Sequence, residues 1–121
     1  MRKVKYGENP RSMAHSDTVY VERVFTKEEM QNDDMAYGAC WAILNPGMTV
    51  EAHKHPIMEL YVFLKGSGQM TIGKATFDVE GGDAVLIPYD EVHTVTNPRN
   101  ARGELCWFSL GYTRRSKSAK V

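Results

Sequence analysis

The chain carries four histidines, His15, His53, His55 and His93. Two of them stand two residues apart in His53-Lys54-His55, and Glu59 follows at the same odd parity. In an extended chain alternate residues share a face. If the chain stays extended through Pro56, His53, His55 and Glu59 project to one side and Lys54 to the other. Pro56 has no N–H to donate and marks a strand edge or break. A carboxylate on a core-facing surface is costly without a partner, or takes up a proton. A divalent cation removes that difficulty, and neutral imidazole with carboxylate suits Fe, Mn, Zn, Ni, Co or Cu. Three such ligands make a site, and a fourth from a distant strand would tighten it. His93 is the candidate. Taken alone it reads better as a solvated or hydrogen-bonded side chain at a strand start, and only the company it keeps favours ligation. His15 lies in a polar segment and reads as a solvated side chain.

These residues need strands to hold them. From Tyr37 onward, short runs rich in Val, Ile, Thr and aromatics alternate with turn residues. The runs are 37–44, 48–53, 59–65, 68–72, 75–79, 84–87, 92–96 and 104–110. Gly73-Lys74 between Ile72 and Ala75 fits a two-residue hairpin with Gly first. Before this region, residues 1–17 are polar and read as irregular, and Thr18 to Phe25 reads as a strand. Thr26-Lys27-Glu28-Glu29 has the capping-box pattern and predicts a short helix through about Gln31. Residues 18–113 thus form an all-β sandwich or barrel domain. Residues 114–121, with four basic side chains and no aromatic, read as a flexible tail.

The 121 residues allow one domain. Apolar residues at 42% and charged residues at 25% are ordinary for a globular protein. Fifteen basic residues balance fifteen acidic ones, so the basic excess of a nucleic-acid-binding domain is missing. No stretch approaches the ~20 apolar residues of a membrane-spanning helix. The first residues have charges but no apolar stretch behind them, unlike a signal peptide. Cys40 and Cys106 sit in apolar runs and read as buried free thiols of a reducing compartment, with the cytoplasm the default address.

Two spaced motifs carry a resemblance. Gly47, five residues, His53, one residue, His55, three residues, Glu59, six residues, Gly66 resembles the first motif of the cupin superfamily. Gly82, five residues, Pro88, four residues, His93, three residues, Asn97 resembles the second. The short gap between Gly66 and Gly82 is similar to that of small single-domain bacterial members. The resemblance implies a double-stranded β-helix (jelly-roll) barrel, with one divalent transition metal held by His53, His55, Glu59 and His93. Such an ion, if six-coordinate, keeps two positions for a small molecule. The second motif usually has Gly two residues after its Pro, where this chain has Asp90. Asp tolerates left-handed backbone better than most residues, so the turn is expected to survive.

Continuing the parity from Glu59 places Tyr61 and Phe63 inside and Leu60, Val62 and Leu64 outside. Three outward aliphatics need a cover, either strand 18–25 or a second subunit. Similar proteins often dimerise through such a face, so a homodimer is expected. Tyr61 and Gln69 are the candidate catalytic residues, and Tyr37, Trp41, Met48, Met58, Phe77 and Trp107 are further candidates for the pocket wall. The function expected from the resemblance is metal-dependent dioxygenase, isomerase or lyase chemistry on a small polar metabolite. A non-catalytic module that binds or senses a sugar or carboxylate is the alternative. No second acid or base stands out, so a tyrosine or a bound water would move protons.

Overall fold

The computed structural model describes residues 1–113, so the tail expected over 114–121 lies outside the described residues. Nine strands run through them: β1 (Arg11–Ala14), β2 (Val19–Phe25), β3 (Met35–Leu44), β4 (Ile57–Lys65), β5 (Ser67–Ile72), β6 (Ala75–Glu80), β7 (Ala84–Ile87), β8 (His93–Thr96) and β9 (Leu105–Thr113). They form a six-stranded sheet in the order β1-β2-β3-β9-β4-β7 and a three-stranded sheet in the order β6-β5-β8. All neighbours are antiparallel. The all-β fold expected from sequence is seen as two sheets that share one core, and among the described residues their pairing does not close into a barrel. Ala42, Tyr61, Phe63 and Trp107 enter that core from the large sheet, and Met70, Val79 and Val95 from the small one.

Side-chain alternation explains why β4 lies as it does. Ile57, Glu59, Tyr61 and Phe63 are buried, while Val62 and Leu64 face solvent. A strand with one face on a core reads this way because successive side chains point to opposite sides. The expected register of β4 is therefore the observed one.

The start of the first motif lies against β8 although it is not a continuous strand. Between 48 and 53, where sequence predicts a strand, two isolated bridges form, Thr49 to Thr96 and His53 to His93. Backbone N–H groups of Gly47 and Val50 donate to Asn97 and Val95, and His53 and His93 exchange both of their backbone hydrogen bonds. Buried Asn97 donates its side-chain amide to the carbonyls of Leu44 and Gly103. The two motifs are thus stitched edge to edge. Asp90 adopts φ 63°, so it does take the left-handed turn that glycine usually fills.

Three expectations are corrected. No helix forms over 26–31. The capping box closes, with the Glu29 N–H donating to Thr26 Oγ1 and the Thr26 N–H to Glu29 Oε1, both at 3.1 Å. The chain makes only one turn, because Gln31 turns left-handed at φ 52° before further helical bonds can offset nucleation. Residues 11–14, in a segment that reads as irregular, pair with β2 as β1. Strand β2 does not cover the outward stripe of β4. It pairs with β3 and extends the same sheet sideways.

Candidate metal centre

His53 and His93 face each other across the bridge, and His55 and Glu59 follow on the chain that leads into β4. One donor atom from each of His53, His55, Glu59 and His93 lies within 4.8 Å of every other. The four residues that the resemblance marks as ligands are therefore brought together.

The donors are also aimed. His53 Nδ1 lies 2.8 Å from the Glu51 carbonyl, and His93 Nδ1 lies 2.9 Å from the Glu91 carbonyl. A carbonyl only accepts, so each Nδ1 carries the proton and each Nε2 presents a lone pair inward. The Nε2 atoms of His55 and His93 approach Glu59 Oε1 at 2.9 and 3.0 Å. Yet His53 Nε2, His93 Nε2 and Glu59 Oε1 are buried with no hydrogen-bond partner. Buried polar atoms are normally satisfied, and orphans that converge on one point call for an explanation. A cation among them supplies it. Bonds of about 2.1 Å place donor atoms of one ion about 3 to 4.2 Å apart, close to the size of this cluster. The residues fit a divalent transition metal.

The electrostatics agree. Burial alone would raise the pKa of the Glu59 carboxyl, but His93, Tyr37 and His55 around it hold the group below its ordinary value. Burial lowers the pKa of His53 and favours the neutral, ligating imidazole. Tyr37 donates its hydroxyl to Glu59 Oε2 and shares a second hydrogen bond, at 2.6 Å, with Ser109 Oγ. Burial and the nearby Glu59 charge raise the pKa of Tyr37 far above the normal phenolic value. It stays a donor that fixes the carboxylate.

A cavity of about 300 Å³ opens beside the cluster. Val19, Val21, Val50, Ile57 and Trp107 give it apolar walls, and His55 and Glu59 reach it from the donor set. Arg23 is the one Lys or Arg among the lining residues. Tyr61 lines the cavity as parity predicts, with its ring 6.2 Å from that of His93. Burial, then the Glu59 charge, raises its pKa well above the usual value. Tyr37 and Trp107 line it too, whereas Trp41, Met48, Met58 and Phe77 do not.

Gln69 does not reach the site. It is exposed on β5 and borders an open surface depression with Asp78 and Glu80. The buried residue of β5 is its neighbour Met70, so Gln69 must point outward. The apolar residues Met70 and Ile72, alternating with Gln69 and Thr71, held that signal in the sequence. The opposite error concerns His15. It is exposed, as its polar segment predicts, but its ring also stacks on His53, with centroids 3.8 Å apart and planes 19° from parallel, and it lines the cavity. Cys40 and Cys106 are buried free thiols, as expected.

Comparison with known proteins fits this geometry. The cupin domain family matches residues 40–109. A dimethylsulfoniopropionate lyase of Ruegeria pomeroyi is 34% identical over 87 residues, which are 71% of this chain and 53% of that protein. An uncharacterised protein of Methanocaldococcus jannaschii is 37% identical over 60 residues, 49% of this chain and 48% of the other. The chain thus spans about half the length of the curated relatives it matches. Among solved structures, a predicted oxalate decarboxylase of Thermotoga maritima superposes with a TM-score of 0.81 at 20% identity, covering 93% of this chain and all 100% of that one. At such identity the likeness speaks for the fold. With both motifs, the donor cluster and the family match in agreement, this chain belongs to the cupin family.

Proposed function

We propose that this chain is a metal-dependent cupin enzyme that acts on a small, anionic metabolite by lyase, isomerase or dioxygenase chemistry. The observation that carries the reading is the set of four converging residues, each with an orphaned buried atom, beside a half-open and largely apolar cavity. His53, His55, Glu59 and His93 would hold a divalent transition metal, which when bound supplies Lewis acidity toward a substrate oxygen. Tyr37 keeps the Glu59 carboxylate in place through its hydroxyl. Tyr61, whose ring packs near those of Trp107, Phe63 and His93 and lines the cavity, would pass a proton to or from substrate. The apolar walls exclude water, and Arg23 favours a guest with negative charge. The relative named as a dimethylsulfoniopropionate lyase supports the lyase branch of this reading.

The same reading makes the chain a homodimer in a reducing cytoplasm. Val62, Leu64 and Leu86 stand exposed on the outer face of the large sheet, and two buried thiols remain unpaired. A second copy would cover that face.

The test begins with elemental analysis of protein purified without chelators. Near one ion per chain is expected, and a metal-free protein that also refuses added Fe, Mn, Zn, Ni, Co and Cu would end the proposal. The loaded protein is then given a panel of small carboxylates in air and under anaerobic conditions. Product formed without oxygen identifies lyase or isomerase chemistry, and oxygen uptake identifies a dioxygenase. Saturable binding with no product after long incubation would overturn the enzyme and leave a binding module.

A further inference from the structure

His15 is the one histidine that the cupin motifs do not account for, and the fold takes pains to place it. It begins the turn between β1 and β2, where His15, Ser16 and Asp17 have φ of 51°, 57° and 59°. Three consecutive non-glycine residues in left-handed backbone are rare, and such strain persists only where the surroundings over-determine it. Here they do. The Thr18 N–H closes the turn on the Ala14 carbonyl at 3.1 Å, and Thr18 Oγ1 donates to the His15 carbonyl at 2.6 Å. The Glu51 N–H donates to that same hydroxyl at 2.8 Å, and the Glu51 carbonyl in turn receives His53 Nδ1–H. One chain of hydrogen bonds therefore ties the turn to the backbone that orients a metal-binding histidine.

The side chain completes the picture. Its ring lies face to face with that of His53 and does not join the donors that meet at a common centre. His15 accordingly falls outside the group of four converging donors. It lines the cavity, whereas His53 does not. The side chain is exposed at the cavity mouth, and its backbone carbonyl accepts from Thr18 Oγ1.

We propose that His15 is a ligand-contacting residue: stacked on His53, it offers a ring nitrogen to the carboxylate oxygen of a small acid bound at the four-donor cluster. The inference rests on the proposed metal site and adds to it a contact that neither motif supplies. The His53 stack sets the plane of the ring, and the left-handed turn sets where it stands. The ligand that fits is a short carboxylate with an apolar body, since valines, Ile57 and Trp107 form the remaining wall.

The experiment uses the full chain loaded with cobalt(II), with acetate as the probe and the visible cobalt spectrum as the readout. His15→Phe keeps an aromatic face against His53 and removes the nitrogens. His15→Gly suits the left-handed backbone and removes the whole ring, which guards against a Phe variant that fails to fold. Cobalt affinity, measured by chelator competition, is expected to stay within about threefold of the parent in the Phe variant, while acetate binding weakens at least tenfold in both. Parent-like acetate binding in either folded, loaded variant overturns the inference and leaves the metal site standing. Loss of cobalt from both variants overturns it as well, by making His15 a support of His53 only. A parent protein that binds cobalt but shows no response to acetate does the same. If the parent takes up no cobalt, the four-donor site falls and the inference with it.

Discussion

Glu59 joins every part of the site: two imidazoles approach one of its oxygens and Tyr37 holds the other. His53→Ala and His93→Ala each remove a buried nitrogen donor, so metal content by elemental analysis should fall from near one ion per chain to near zero. Tyr37→Phe is the finer probe. It leaves a buried carboxylate oxygen without its donor, which costs about 1–3 kcal/mol in the metal-free protein by urea denaturation. It should also weaken metal binding about 10–100-fold, as loss of a group that orients a ligand does. At this scale the sequence was legible where parity could be anchored. His53, His55, Glu59 and Tyr61 follow one another at even spacing and do meet at the site, although only Glu59 and Tyr61 lie on β4 and His53 is held by its bridge to His93. Gln69 was misread because β5 belongs to the other sheet, where only the apolar neighbours Met70 and Ile72 reveal which side is inward. His15 was invisible for a different reason. Its place depends on three left-handed residues with no glycine among them, and nothing in their identities announces that turn.

Elements explain how the amino-terminal segment is attached. Gly7 and Asn9 donate backbone N–H groups to Glu22, a carboxylate with 0% exposure, and so dock residues 7–9 on β2. Nearby, Tyr6 donates to Glu104 at 2.8 Å and Arg11 to its other oxygen at 3.1 Å. Burial opposes ionisation of Glu104, but these hydrogen bonds outweigh it and lower its pKa. A carboxyl with a folded pKa below its unfolded value stabilises the fold above the unfolded pKa. That contribution is lost as pH falls through the folded one. Stability should therefore decline as pH drops below the ordinary value of 4.5, and Glu104→Gln should flatten that part of the profile in denaturation at stepped pH. The β1–β2 turn gives a prediction of the opposite sign. Ser16→Gly relieves left-handed strain at φ 57° and should raise stability by about 1 kcal/mol, read as a higher urea midpoint. Strands β2 to β9 were legible because apolar alternation and turn residues agree there. β1 and the missing helix were not. The sequence Arg-Ser-Met-Ala has no strand pattern of its own and gains one from β2. A capping box states where a helix can start, but not whether enough residues follow to sustain it.

For the molecule as a whole, the outer face of the large sheet decides assembly. Leu60 pairs with Leu86 on one side and Leu110 on the other, and Val62 pairs with Phe108. Leu86 is 60% exposed, so Leu86→Asp leaves the core untouched and places a charge where a second copy would press. Light scattering at micromolar concentration should give twice the chain mass for the parent and one chain mass for this variant. A parent that scatters as a single chain would leave the face without that role.

The order of strands in the large sheet has a consequence for how the protein comes into being. β9 lies between β3 and β4, so these two strands have no mutual contact along their lengths until the segment that separates them arrives. Glu59 pairs directly with Gly111, and the Ser109 that steadies Tyr37 also sits on β9. A growing polypeptide still attached to the ribosome at residue 104 would hold all four histidines, yet lack the ribbon on which the pocket closes. Assembly of the centre therefore follows synthesis of β9, and metal capture belongs to a chain that already contains it rather than to one still short of it.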